Sequence, residues 1–435
     1  MKEMLYHTLK RFVFVFYKRK WTKIKKSSEN KPRLFWGPEA LLNFSIWSNI
    51  MNDSFESKSV VFKNYQINKE DDFDFVFSKM EFKYFKGNNA ISRYLNFVMK
   101  EHLMFDFVIN NFDVFFISYS GLNILGDKKW AEEIEILKKT GAKIVILPYG
   151  ADWIRFSIYN GFSFKHGYFT HYPNERKQED KIDERVKLLN VKSDVIVAGG
   201  MLWGKVWDVL SCNYISIDIS KFNKVRKYDH ADVVNIVHSP NHRYLKGTEF
   251  VLEAVQSLKN EGYNIQLVLL EKVKNDEVIR ILNEDADILI EQLLNGYSLS
   301  GIEGMAAGLP VLSNLEDEEM SRKVFRRFSY LDECPILSTT PETIKEHLRV
   351  LIENSSLRKE LGEASRKYVE KYHSTEGSRY MFDKIIDRVW YGKEVDLMNM
   401  YHPLHPDSYN NKSPKIVHPL IENKIPNKLL EKLNR

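Results

Sequence analysis

Only two cysteines, Cys212 and Cys334, occur in 435 residues, and they lie far apart with no metal-ligand spacing. That excludes a disulfide scaffold and points to free thiols in a reducing compartment. No apolar run approaches the roughly 18 residues of a membrane-spanning helix, and no signal-peptide cleavage pattern is evident, so the expected compartment is the cytoplasm. Charge of one sign is not in large excess. Lys and Arg number 64 against 59 Asp and Glu, a formal net charge of +5, too small at this length to imply a nucleic-acid partner. With 43% hydrophobic and 28% charged residues the chain is globular rather than disordered, and it is long enough for two ordinary domains.

One stretch is strongly biased. Residues 1–26 carry Lys2, Lys10, Arg11, Lys18, Arg19, Lys20, Lys23, Lys25 and Lys26 against Glu3 alone, with Leu5, Leu9, Phe12 and Phe16 at helical spacing. A basic helix with an aromatic face suits an anionic membrane surface, which would place the protein at the inner face of the membrane. The same pattern also describes a helix packed on its own domain or a poorly ordered arm, and Phe12 to Tyr17 alone reads equally as a strand.

Arg33 to Trp36 reads as a first strand, turned by Gly37-Pro38 into a helix over about 39–51. A strand, glycine turn and helix at the start of an α/β domain often border a ligand cleft, which makes Gly37 a candidate binding residue. Val60 to Phe62 and Phe73 to Phe77 read as further strands. Asp72-Phe73-Asp74 matches a metal-holding D-x-D pattern, but alternating acid and aromatic residues also describe a half-exposed strand, and we reject the metal reading. Strand Asp113 to Tyr119, helix Lys128 to Lys139 and strand Lys143 to Leu147 follow in short order, which predicts a parallel sheet with right-handed crossovers. Asp152 lies just beyond the last of these strands, where such sheets bind ligands; an Asx turn or helix cap would place an aspartate there equally.

Tyr159 to Gln178 reads as a long loop with His166 and His171, and is a candidate for the acceptor side. Helix 180–189, strand Asp194 to Ala198, the Gly199-Gly200 turn and strand Tyr214 to Ile219 complete the first half, and the polar stretch 221–232 is the expected boundary. The second half repeats the pattern with strands at 233–238, 265–270, 287–290 and 310–313 and a helix over 249–261. Further helices are expected at 341–353, 357–372 and 380–391. A Pro- and Asn-rich tail after Gly392 reads as a surface extension.

Two loops carry the chemistry. After strand 233–238, Arg243 and Lys246 supply a fork and a point charge suited to a pyrophosphate, able to stabilise negative charge that grows on a leaving phosphate. Near residue 300 a helix begins, its free N–H groups favouring an anion, with Gly296 freeing the backbone before it. Glu303 sits on its first turns, placed to accept hydrogen bonds from ligand hydroxyls.

At Arg243-x-x-Lys246-Gly247 and at Gly296 to Val311, which contains Glu303-Gly304-Met305-Ala306-Ala307-Gly308-Leu309-Pro310, the chain resembles the retaining GT-B glycosyltransferases of family 4. The resemblance is strongest over 236–313; the first half matches in general architecture only. It implies an α/β fold of two Rossmann-like doubly wound domains facing across a cleft. It assigns Arg243 and Lys246 to the donor diphosphate and Glu303, the second Glu of an E-x7-E motif, to the nucleotide ribose. It puts Asn295 near the donor sugar; Gly296, Tyr297, Ser298 and, from its place at the first turn, Gly37 are the other expected donor-binding residues, and Asp152, where the first domain would meet acceptor and donor sugar, is expected as a catalytic contact or polarising residue. It implies no cofactor and no metal. Two departures stand out: Asn295 replaces the first Glu of the motif, and Glu271-Lys272 replaces the glycine usual after the second strand of that domain.

The expected organisation is a basic amphipathic segment (1–30), an acceptor domain (31–225), a nucleotide-sugar donor domain (226–376), a helix returning to the first domain (377–392) and an extension (393–435). The expected activity is transfer of a sugar from a nucleotide-diphosphate sugar to a glycan or lipid-linked glycan in cell-surface polysaccharide synthesis. Fold does not fix function. A non-catalytic nucleotide- or glycan-binding partner of a transferase, kept open by Asn295, and a GT-B nucleotide-sugar epimerase remain alternatives.

Overall fold

A computed structural model of the chain describes residues 2–65, 68–69, 71–159, 161–198, 207–211, 215–222, 228, 233–294, 296–316, 322, 331–428 and 430. It contains two sheets and divides into two compact units: 1–154, 180–197 and 382–395 form one, and 155–179, 198–381 and 396–435 the other. Residues 155–179 and 198–225, expected in the first domain, thus group with the second unit. Residues 382–395 group with the first. Among the described residues, no helix is long and apolar enough to cross a membrane.

The first sheet is built on β1 (Arg33–Trp36), β2 (Glu56–Val61), β3 (Phe75–Val76), β4 (Val114–Ile117), β5 (Lys143–Ile146), β6 (Val195–Ala198) and β7 (Val209–Leu210), in the order β3-β2-β1-β4-β5-β6-β7. The pairs from β3 to β6 are parallel. Central parallel strands are covered on both faces and therefore run continuously apolar; Phe35, Trp36, Phe115, Phe116, Val145 and Ile146 are fully buried. Trp36 stacks on Phe116 at 3.8 Å, and Phe382 meets both rings edge-on. Strand order reverses between β1 and β4, so the crevice at their carboxyl ends is the expected ligand position.

The amino-terminal segment is a helix, α1 (Lys2–Trp21), not a strand. It lies on α3 (Ala90–Asn111), a 22-residue helix in a stretch for which no element was expected. Phe14, Tyr17 and Trp21 form its buried face, and the Trp21 indole donates to Asp106 at 2.9 Å. Lys10, Lys18, Lys20 and Lys26 pair with Glu101, Glu132, Asp106 and Asp113. The opposite face leaves Met4, Phe12, Val15 and Phe16 exposed, with Arg11, Arg19 and Lys23 exposed among them.

The other helices before the second sheet are α2 (Leu42–Met51), α4 (Trp130–Thr140), α5 (Phe162–His171) and α6 (Glu179–Lys192). The expected loop over 159–178 is therefore largely helix α5. The Phe and Tyr residues of α5 are spread around its axis among Lys, His and Thr, so no single face gives the 3.6-residue period that marks a helix. The expected strand at 214–219 is not formed over its described residues. Ile217 makes an isolated bridge to Ser374 and a 3-10 turn follows at Ile219–Lys221. The Gly199-Gly200 turn and most of the expected 221–232 boundary lie outside the described residues.

In the second unit β8 (Val234–His238), β9 (Ile265–Leu269), β10 (Ile288–Gln292), β11 (Val311–Ser313) and β12 (Leu337–Ser338) form a parallel sheet in the order β12-β11-β10-β8-β9. Here order reverses between β8 and β10. The connecting helices are α7 (Arg243–Lys246), α8 (Thr248–Asn260), α9 (Asn275–Glu284) and α10 (Leu299–Ala306), followed by α11 (Ile344–Glu353), α12 (Ser355–Tyr372) and α13 (Thr375–Val389). The tail is more than a surface extension. Leu397, Tyr401, Leu420 and Ile425 are buried, the Tyr401 hydroxyl donates to the Gly377 carbonyl at 2.9 Å, and the Asn423 amide donates to the Cys334 and Ile336 carbonyls.

Candidate functional site

The β8/β10 crevice gathers most of the expected residues of the second unit. After β8 the chain turns through 239–242 into α7, which is closed by Gly247 in a left-handed conformation. One short turn of helix places Arg243 and Lys246 on different sides. Lys246 points inward: its ammonium pairs with the Glu291 carboxylate and donates to the Ser298 hydroxyl at 3.0 Å. Glu291 has no exposed side-chain surface. It also accepts from Ser298 at 2.8 Å and from Ser300 at 2.9 Å, and the Ser313 hydroxyl lies 3.1 Å away. Sequence reasoning missed Glu291. The available signal was an acid at the end of the otherwise apolar run Ile288-Leu289-Ile290.

Gly296 adopts φ +64°, a left-handed backbone that glycine takes without steric cost. Its N–H donates to the Asn314 carbonyl at 2.6 Å, and its carbonyl accepts from the Ser313 hydroxyl at 2.5 Å. The Tyr297 hydroxyl is bound to Tyr368 and His373 at 3.2 and 3.0 Å. Ser298 is the residue before α10 and spends its hydroxyl on Lys246 and Glu291 rather than on capping the helix. Asn295 lies outside the described residues.

Arg243 points the other way, with a third of its side chain exposed. Its guanidinium donates to Glu249 at 2.8 Å and to Glu271 at 2.9 Å, and these two carboxylates raise its pKa further. Exposed pairs of this kind are weak and exchangeable, so an arriving phosphate can replace a carboxylate. Glu271 belongs to the loop that departs from the family pattern. Its neighbour Lys272 takes φ +58°, the backbone conformation a glycine at that place would supply.

Glu303 is 6% exposed on α10. One oxygen accepts from the Asn275 amide at 2.8 Å. Burial dominates and pushes its pKa up to about 7, against smaller lowering effects of Asn275 and Lys221. The small residue at Gly304 lets α10 lie close to β10: a Cβ there would come within 2.2 Å of Leu289.

Asp152 and Gly37 lie in the first unit. Both Asp152 oxygens are used: one accepts from the Tyr119 N–H at 2.8 Å and the other from the Tyr149 N–H at 3.0 Å. The carboxylate thus ties together the loops that end β4 and β5, and burial first, then the nearby Glu39, raises its pKa. Gly37 cannot carry a side chain, because a Cβ would stand 2.0 Å from the Val60 carbonyl oxygen; its N–H donates to Phe116 O at 3.2 Å. Beside it Glu39, also missed from the sequence, accepts from the Ser118 hydroxyl at 2.9 Å across the β1/β4 crevice.

No family model matches the chain, and no curated protein matches it. Solved structures do. Sucrose-phosphate synthase from Thermosynechococcus elongatus superposes with a TM-score of 0.53 at 10% identity, over 84% of this chain and 100% of that one. Anabaena HepE in complex with UDP and glucose superposes with a TM-score of 0.52 at 8% identity, over 82% of this chain and 100% of that one. The same protein in complex with UDP-glucose gives 0.52 at 11% identity. At these identities the likeness is one of fold: two Rossmann-like α/β units with parallel sheets, the GT-B architecture.

Proposed function

We propose that the chain is a glycosyltransferase that moves a sugar from a nucleotide-diphosphate sugar to a glycan or lipid-linked glycan acceptor. The observation that carries this reading is the contact of Lys246 with Ser298 and Glu291 beyond the carboxyl ends of β8 and β10, where an open α/β sheet binds its ligand, with Arg243 on the same short helix and Glu303 on α10, the helix that follows β10. On this reading Arg243 and Lys246 take the diphosphate and stabilise the charge that develops as it leaves. Glu303 accepts from the ribose hydroxyls, and Asn295 and Gly296 lie beside the donor sugar. Asp152, placed by its two backbone hydrogen bonds, contacts the acceptor. Retention of configuration without a metal is the family-like chemistry we assign, and cell-surface polysaccharide synthesis its setting.

A thermal-stability series against nucleotides and nucleotide sugars tests it. Ligand at about a hundred times its dissociation constant adds roughly 2.7 kcal/mol. A shift with one nucleotide, lost in Arg243→Ala and in Lys246→Ala, is the expected result; no shift with any nucleotide from well-folded protein would sink it. One observation favours a second reading, a non-catalytic binding partner. Both cations are already engaged by carboxylates, Glu249 and Glu271 for Arg243 and Glu291 for Lys246. Nucleotide binding without donor turnover in the presence of acceptor extracts would select it.

We also assign the exposed face of α1 to an anionic membrane surface. Aromatic side chains insert at the headgroup level while nearby Arg and Lys meet anionic lipids. Because Trp21 is fully buried, deleting the helix would disturb the first unit, so the test substitutes exposed residues. Phe12→Ser with Phe16→Ser is expected to abolish sedimentation with vesicles containing phosphatidylglycerol. Equal sedimentation of variant and wild type would remove the assignment.

A further inference from the structure

Between Gly296 and Ser298 the Tyr297 side chain leaves the loop for the carboxyl end of α12. There its hydroxyl lies 3.0 Å from His373 Nε2 and 3.2 Å from the Tyr368 hydroxyl. His373 is held on its other sides. Its N–H donates to the Val369 carbonyl at 2.8 Å, and its carbonyl accepts from the Ile217 N–H at 3.1 Å. Its Nδ1 lies 2.7 Å from the Ile215 carbonyl. The neighbouring Ser374 forms a bridge with Ile217. The imidazole is buried, and its second nitrogen, Nε2, is the one polar atom of His373 left to face Tyr297.

The partners fix which nitrogen carries the proton. A carbonyl oxygen only accepts, so Nδ1 is the protonated nitrogen and Nε2 is an acceptor. Burial lowers the imidazole pKa to about 4, against a smaller raising effect of Ile215, so the ring is neutral and keeps this one tautomer near pH 7. The Tyr297 hydroxyl therefore donates to His373, and in its pair with Tyr368 the Tyr368 hydroxyl is the donor. What this row holds is the loop. Gly296, at φ +64°, is a point of backbone freedom. Ser298, two residues on, reaches Lys246 and Glu291 through its hydroxyl. A binding group stays in place when the residue beside it is locked by partners that do not touch the ligand themselves.

We infer that His373 is a positioning residue: through Nε2 it fastens Tyr297, and so sets loop 296–298 where Ser298 meets Lys246. On this inference Tyr297 anchors the loop instead of touching the donor. That Lys246 then takes a diphosphate rests on the transferase reading; the hold on the loop does not.

Two substitutions separate the contacts of the ring. His373→Gln keeps an acceptor near the place of Nε2 and loses the donor to Ile215; His373→Asn keeps a donor near Nδ1 and loses the acceptor for Tyr297. These variants and Tyr297→Phe are compared with wild type, as full chains, in two measurements. The first is the rate at which acetic anhydride modifies Lys246, read by mass spectrometry, with Lys371, buried in a pair with Glu333, followed in the same digests. The second is calorimetric binding of UDP, GDP, CDP and ADP. Tyr297→Phe and His373→Asn are expected to speed Lys246 modification, and to weaken the nucleotide that wild type binds, by about fivefold each, the equivalent of one neutral hydrogen bond. Combining the two is expected to add little, because both remove the same contact. His373→Gln is expected to stay close to wild type in both. An unchanged Lys246 rate in Tyr297→Phe and His373→Asn would overturn the inference. So would a rise shared by Lys371, which marks loosening of the whole unit, or a His373→Gln protein that behaves as His373→Asn does. Absence of nucleotide binding by wild type, or a faster Lys246 rate with unchanged nucleotide affinity, would count against the transferase reading and leave the Lys246 rate to decide this one.

Discussion

Glu291→Ala is expected to destabilise the second unit by about 3–5 kcal/mol, the cost of leaving one partner of a buried ion pair alone. Lys246 would keep only the Ser298 hydroxyl, and Ser298 and Ser300 would each lose an acceptor, while Ser313 would keep the Gly296 carbonyl. The cavity left by the side chain lies against α10, where Gly301 already approaches the Glu291 Cγ so closely that a Cβ would stand 3.0 Å from it. Neighbouring backbone therefore has little room to collapse into the gap. Glu291→Gln separates charge from shape: it keeps a carbonyl acceptor for the serines and leaves Lys246 unneutralised, so its loss should fall between zero and that of the alanine variant. Glu291→Leu combined with Lys246→Met should recover most of the stability, since a buried pair replaced by apolar groups of similar size is often neutral. Calorimetric melting of the four proteins checks the series. A Glu291→Ala protein that melts with wild type would mean that the pair contributes nothing. A double variant no better than Glu291→Ala would mean that the serine network, rather than the ion pair, holds the crevice.

Four of the five strands of the second sheet were legible, β8, β10 and β11 because they are largely buried; the two-residue β12 (Leu337–Ser338) was not read. Val234 to Val237, Ile288 to Ile290 and Val311 to Leu312 are apolar runs with turn residues on either side, and α8 shows a one-sided stripe at Val251, Ala254, Val255 and Leu258. The central strands of the first sheet were legible for the same reason. Helix α3 carried a readable signal that was passed over: Asn89, whose side chain accepts from the Ser92 N–H, precedes buried Val98, Phe105, Val108 and Ile109. Helix α5 carried none, because its aromatic and polar residues are mixed around the axis. The cations of the site were legible as residue types beside a strand end, but their orientation was not. Nothing local tells that Lys246 turns inward to a carboxylate 45 positions away in the chain, or that Arg243 turns outward to Glu271. Glu39 and Glu291 were passed over for a related reason. An acid near a strand end is ordinary in sequence, and only the strand order shows which two strand ends flank a reversal. The tail misled through composition, because its prolines and asparagines suggested a solvated extension while Leu420 and Ile425 join the core of the second unit.

Between about pH 4.5 and pH 7 wild-type protein should lose stability that Glu303→Gln keeps. The Glu303 carboxyl, ordinarily near 4.5, stands at about 7 in the folded chain, so over this window the folded state retains a proton that the unfolded state has released. Stability falls with rising pH wherever the folded state binds more protons. The contribution is complete below 4.5, declines through the window, and is gone above 7. A separation of this size corresponds to on the order of 3 kcal/mol, and Glu303 is buried enough for little of it to be screened away. Glu303→Gln keeps the shape and an acceptor for the Asn275 amide without the titration, so its stability should change less steeply, and at pH 8 it should exceed wild type. Urea unfolding at several values between pH 5 and pH 8 measures the two slopes; parallel curves would mean that Glu303 does not hold its proton. The same variant links this cost to the proposed activity. Two ribose hydroxyls donating to Glu303 would stabilise its ionised form, so nucleotide binding to wild type should release a proton near neutral pH and binding to Glu303→Gln should not. Calorimetry in buffers of different ionisation enthalpy reads that proton directly. Nucleotide binding with no proton released by wild type would place the ribose elsewhere, and would leave the buried carboxyl as a structural feature of α10.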